Sequence, residues 1–149
     1  MPDTKANLLV VDDELSIRMT LSCLLKEIGY RVRTAEDGLS ALIKIREEVP
    51  EILLSDLHMP GMSGFELLSV AARQFPDLRT IAMSGAFIGD EIPTGVAADA
   101  FYQKGSGLER LLRMIETLLL RERMRVVCAT AQPADEHFFP AFQPAPAGL

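Results

Sequence analysis

Tryptophan is absent from this 149-residue chain, and cysteine and histidine occur only twice each. The two cysteines, Cys23 and Cys128, have no metal-ligand spacing and form no disulfide framework. Cys23 falls within an apolar-periodic segment, so a buried, reduced thiol is expected there. No apolar run approaches the ~20 residues needed to cross a bilayer. The opening MPDTKANLLVVDDE also lacks the basic-then-apolar pattern of a signal peptide, so the expected compartment is the cytoplasm, with no membrane partner. Basic residues are in short supply: 15 Lys and Arg stand against 21 Asp and Glu, a formal charge of −6. That argues against a general nucleic-acid binder, whose phosphate contacts need a basic face. The remaining balance, 48% hydrophobic and 24% charged, is that of a soluble globular chain with one core.

Short apolar runs alternate with helical patterns. Asn7–Val11 has strand length and ends at Asp12, Asp13 and Glu14. Ile17, Leu21, Leu24, Leu25 and Ile28 follow at the spacing of one helix face, and Gly29 stops it. Tyr30–Thr34 alternates with period two, as an edge strand does. Ala41, Leu42, Ile45 and Val49 mark a second helix, and Ile52–Ser55 a further apolar strand leading to Asp56. Phe65, Leu68, Ala72 and Phe75 mark a third helix. Arg79–Met83 and Ala100–Gln103 are two more strands, and the apolar residues from Leu108 to Leu119 give the most regular helix. Between the last two strands, Gly85, Gly89, Pro93 and Gly95 leave room only for a short or irregular fourth helix. Residues 1–125 form the predicted domain. Residues 126–149 form a Pro/Ala-rich tail, without periodicity from Thr130 on and read as a linker remnant.

Alternation of this kind predicts an α/β, doubly wound parallel sheet with helices on both faces. Ligands of such sheets bind beyond the carboxyl ends of the strands. Asp12 and Asp13, Asp56, Ser84 and Lys104 all fall on that rim. Three clustered carboxylates repel one another unless a cation lies between them, and hard oxygen ligands with room for water suit Mg²⁺. With the metal in place Asp56 can act as a nucleophile toward a phosphoryl group. Lys104 offers a mobile charge to one phosphoryl oxygen, and Ser84 offers a hydroxyl to another.

The motifs VVDDE (10–14), LLSDLHMPGMSG (53–64), IAMSG (81–85) and FYQKG (101–105) make residues 6–122 resemble a response-regulator receiver domain. The resemblance implies a flavodoxin-like five-stranded sheet of order 2-1-3-4-5. It implies Asp56 as phosphoacceptor, with Mg²⁺ bound directly by Asp13 and Asp56. Asp12 would act through water, and the backbone carbonyl of His58 would complete the protein ligands. Ser84 and Phe101 fall at the switch positions. The implied partners are a histidine kinase or phosphotransfer protein and a downstream protein target, with room for a weak homodimer. The implied chemistry is limited to the protein's own phosphorylation and dephosphorylation, so the chain is not expected to be an enzyme in the usual sense.

Plainer readings stand beside these. Asp12 and Asp13 suit helix caps, Ser84 before Gly85 suits a turn, Lys104 suits a surface lysine, and Phe101 suits an ordinary core position. His58 invites a transition-metal reading, against which stands a partly exposed polar loop residue. The basic cluster Arg121, Arg123, Arg125 suits a solvated face. An aspartyl-phosphate phosphatase would carry an acid two residues after the nucleophile, where this chain has His58. A receiver fragment of a larger hybrid kinase or regulator is also compatible with these motifs, as is a binding module that works without phosphorylation. The sequence departs from the family in having Gly105 where proline usually follows the rim lysine. A trans Lys104–Gly105 bond is therefore expected, because a cis bond before a residue other than proline costs about 2.5–4 kcal/mol.

Overall fold

The structure, a computed structural model, describes residues 5–85 and 92–142, and for residues 129–142 the backbone alone. Five strands, β1 (Asn7–Val11), β2 (Arg31–Ala35), β3 (Ile52–Asp56), β4 (Arg79–Ser84) and β5 (Ala100–Gln103), alternate with α1 (Leu15–Ile28), α2 (Gly38–Glu47) and α3 (Gly64–Gln74). The chain then enters α4 (Leu108–Phe142). The strands form one sheet of order β2-β1-β3-β4-β5, and every pairing is parallel. β3 is buried at all five positions, as a central strand covered on both faces must be. β2 is at the edge, and its Arg31 is exposed.

Period-two alternation sends neighbouring side chains to opposite faces of the sheet. Leu9, Val11, Leu53 and Ala82 pack with Leu42 and Ile45 of α2, Leu67 and Leu68 of α3, and Phe101 of β5. Leu8, Val10, Ile52, Leu54 and Ile81, all fully buried, alternate with them along the strands and fill the other face.

The helix boundaries have local causes. Gly29 closes α1 in the left-handed conformation at φ +119°. Its N–H donates to the carbonyl of Lys26 and that of Tyr30 to Leu25, the paired bonds of a Schellman stop. The Asp37 side chain accepts from Ser40 N at 2.7 Å and starts α2. Ser63 and Glu66 form a reciprocal capping box at the start of α3.

Several expectations need correction. Cys23 is exposed, because it lies two residues from Leu21 and so turns away from the apolar stripe of α1. Val49 falls beyond the end of α2 and is 47% exposed. The buried face of α3 is Gly64, Leu67, Leu68 and Ala71, whereas Ala72 faces solvent. The apolar residues of α3 are numerous enough to fit two neighbouring stripes, and packing on the sheet selects one. Part of the expected fourth helix, residues 86–91, lies outside the described residues. Residues 92–99 contain only a turn at Thr94–Gly95. Helix α4 continues to Phe142, past the start of the expected tail; residues 143–149 lie outside the described residues. Arg, Glu, Met and Ala favour helix in this stretch, although Pro133 and Pro140 each remove a backbone donor.

By internal contacts the chain divides into two compact units, Met1–Ile115 and Glu116–Leu149, with the boundary inside α4. No helix among the described residues is long and apolar enough to cross a membrane.

Candidate functional site

The sheet register assembles the rim. Val11 pairs with Ser55, Asp56 with Met83, and Ser84 with Gln103. Pairing also runs one residue past the strand ends: Asp12 N donates to Ala35 O at 3.2 Å, Leu57 N to Met83 O at 2.9 Å, and Lys104 N to Ser84 O at 3.0 Å. The backbones of Asp12, Asp56, Ser84 and Lys104 are thereby held side by side at one end of the sheet.

Carboxylate oxygens of Asp12, Asp13 and Asp56 lie within 4.8 Å of one another. Asp12 is fully buried and Asp56 4% exposed, whereas Asp13 faces solvent. Lys104 Nζ lies 2.8 Å from Asp12 Oδ2 and 3.3 Å from Asp56 Oδ1. Asp12 Oδ1 accepts from Glu14 N at 2.9 Å, which is the turn-stabilising role of the cap reading. Its Oδ2 is buried without a hydrogen bond of good geometry, so the lysine compensates it by charge alone. A buried carboxylate oxygen in that condition, beside two further carboxylates, fits a hard divalent cation.

Burial pushes the Asp56 carboxyl above its usual range. The Lys104 charge opposes that rise, and the neighbouring Asp12 adds to it. For Lys104, burial works against the ammonium, but its close contact with the Asp12 carboxylate and the charge of Asp56 outweigh it and raise its pKa. The lysine therefore carries its charge throughout the physiological range.

The loop after β3 shapes the mouth of the site. His58 is exposed; its N–H donates to Asp56 Oδ1 at 3.3 Å, and its ring meets Phe65 edge-on at 5.9 Å. A Cβ on Gly64 would lie 1.9 Å from the Asp56 carbonyl oxygen and 2.6 Å from Leu57 Cα. Only glycine lets α3 start this close to the backbone of Asp56 and Leu57. In the sequence Gly64 is one more loop glycine, and its position eight residues past Asp56 carries no signal of the approach. Ser84 is buried at the end of β4, and Phe101 is fully buried in the core. The Lys104–Gly105 bond is trans, and Gly105 takes φ +87°, the freedom expected of glycine there. The rim thus unites Asp12, Asp13, Asp56 and Lys104, with Ser84 on the adjacent strand, while Phe101 lies below it.

The family model described as response regulator receiver domain matches residues 8–116. The nitrogen assimilation regulatory protein NtrX of Azorhizobium caulinodans is 33% identical over 138 residues, which cover 85% of this chain and 30% of that protein. The chain therefore spans under a third of that relative. Among solved structures, the response regulator TrrA of Thermotoga maritima in complex with Mg²⁺ and BeF has a TM-score of 0.70 at 31% identity. That match covers 75% of this chain and 97% of TrrA. TrrA in complex with the histidine kinase ThkA gives a TM-score of 0.70 at 32% identity, covering 76% and 97%. Because the matched range takes in the acidic rim together with the strands that align it, the chain belongs to the response regulator receiver domain family.

Proposed function

We propose that this receiver accepts a phosphoryl group on Asp56 from a phosphohistidine donor, a histidine kinase or phosphotransfer protein, and signals through altered protein–protein binding. The observation that carries the reading is the meeting of three carboxylates within 4.8 Å around Asp56, with Lys104 Nζ 3.3 Å from its Oδ1. His58 N also bonds Oδ1, which leaves Oδ2 for attack. Oδ2 forms the new bond to phosphorus, the nitrogen–phosphorus bond of the donor breaks, and the imidazole keeps the electron pair and takes up a proton. Asp13 and Asp56 would hold Mg²⁺ directly, with Asp12 acting through water and His58 through its backbone carbonyl. The ion, when bound, neutralises the phosphoryl oxygens. Lys104 moves its charge toward the phosphoryl group, and the Ser84 hydroxyl follows. Phe101, fully buried below the rim, takes the switch position on β5. The chain turns over no metabolite; it promotes only its own phosphorylation and dephosphorylation, in the cytoplasm. Support comes from the Mg²⁺–BeF and kinase complexes of the relative TrrA.

A second reading, the receiver portion of a longer regulator, is favoured by one observation: the chain corresponds to 30% of NtrX. Acetyl phosphate with Mg²⁺ tests the acceptor. Wild-type protein gains one alkali-labile phosphoryl group by mass, and Asp56→Asn gains none. Asp13→Ala weakens Mg²⁺ binding because a direct ligand is lost. Full labelling of Asp56→Asn would overturn the assignment.

A further inference from the structure

Arg18 stands where a helix start least favours a cation. It lies in the opening turn of α1, which has no acidic side chain in its first turn and whose Glu14 cap makes no side-chain bond. The positive end of the helix dipole disfavours a guanidinium there. Side chains on a helix lean toward its N-terminus, and the half-buried Arg18 reaches back to the end of β1. Its Nη1 donates to the Asp12 carbonyl oxygen at 2.7 Å, a charge-assisted bond that offsets the dipole.

Asp12 is thereby held from three sides. Besides the carbonyl bond, its N–H donates to Ala35 O at 3.2 Å and its Oδ1 accepts from Glu14 N at 2.9 Å. Oδ2 is left facing the rim, 2.8 Å from Lys104 Nζ. The peptide joining Asp12 to Asp13 is planar and rigid, so fixing its oxygen also fixes where Asp13 starts. Asp13 is exposed, and the direction of its carboxylate depends on that backbone. Arg18 acts on both acids through one peptide, from outside the acidic cluster.

We propose that Arg18 is a positioning residue for the cation: it holds the Asp12–Asp13 peptide so that both carboxylates converge with that of Asp56. That role presupposes that the rim takes Mg²⁺. Two effects of Arg18 oppose each other. Its charge repels any divalent cation, Mg²⁺ and Ca²⁺ alike. Its bond to the carbonyl serves Mg²⁺ more, because Mg²⁺ demands near-ideal octahedral geometry whereas Ca²⁺ accepts flexible coordination. Solvent and salt screen the charge of a half-exposed guanidinium, so positioning outweighs repulsion.

Amide chemical-shift titrations of the isotope-labelled full chain, with MgCl₂ and separately with CaCl₂, give both affinities and report the fold. Arg18→Met keeps the apolar stem and drops the donor. It weakens Mg²⁺ binding by about tenfold or more, as loss of a group that orients metal ligands does, and Ca²⁺ binding by less than about threefold. Arg18→Lys keeps one donor and the charge, and stays within about threefold of wild type for both ions. If Arg18→Met fails to fold, Arg18→Gln makes the same comparison. Tighter binding of both ions by the uncharged variant would show that charge alone acts, and would overturn the proposal. Unchanged or equally weakened binding of both ions would overturn it, as would an Arg18→Lys protein as impaired as Arg18→Met. A wild type that binds neither ion would instead overturn the Mg²⁺ reading of the rim, and the role of Arg18 with it.

Discussion

Asp56 is a carboxylate kept where burial disfavours its charge. Its pKa in the folded protein is raised, so its contribution to stability is greatest below the ordinary carboxylate range and is lost as pH rises through the folded value. At neutral pH without divalent cations the ionised group is a net cost. Asp56→Asn should then melt a few degrees above wild type at pH 7, with the gap closing as the pH falls into the acid range. A gap that does not change with pH, in thermal scans across that range, would contradict the account. Gly64 presents a steric question at the same site. Gly64→Ala drives a methyl into the Asp56 and Leu57 backbone and should destabilise by about 3 kcal/mol in urea unfolding. Gly61 has φ +75° and open space around it, so Gly61→Ala should cost only about 1 kcal/mol of backbone strain. Equal losses at the two glycines would show that the close approach at Gly64 is not real.

Among the elements, the helix-poor crossing from β4 to β5 depends on side chains for its anchor. The Asp99 carboxylate accepts from Thr80 N at 2.8 Å and from Thr80 Oγ1 at 3.3 Å, and it faces Arg79 at 3.7 Å. Asp99 N donates back to Thr80. These contacts join the start of β5 to β4 where no described helix does so. Asp99→Ala should cost about 2 kcal/mol, because it strands a backbone donor as well as removing a charge. Ser63→Ala, which removes one half of an exposed capping box, should cost about 1 kcal/mol. Denaturant midpoints of the two variants give the comparison, and the reverse order would reject the anchoring role.

On the scale of the whole molecule, every residue of the acidic rim lies in the unit Met1–Ile115. Deleting residues 130–149 should therefore leave the fold and Asp56 labelling intact, by circular dichroism and by mass. A truncated protein that fails to fold would place part of the core's support in that segment.

Alternating apolar runs and helical stripes were enough to define the five strands and the helices other than the crossing between β4 and β5. β1 and β5 match their expected spans, β3 and β4 run one residue further, and β2 is shifted by one residue at both ends, because strand periodicity and glycine stops are local properties. The rim was legible for the same reason: Asp12, Asp56 and Lys104 each directly follow or end an apolar strand. Further features needed the fold. Which stripe of α3 turns inward depends on the sheet it meets, and the exposure of Cys23 depends on which side of α1 is covered. The clearance at Gly64 exists only because α3 is brought back against the end of β3. The pairing of Lys104 with two carboxylates likewise comes from parallel register between strands far apart in the chain. Periodicity reports which residues share a face, but what lies against that face is set by contacts between distant segments.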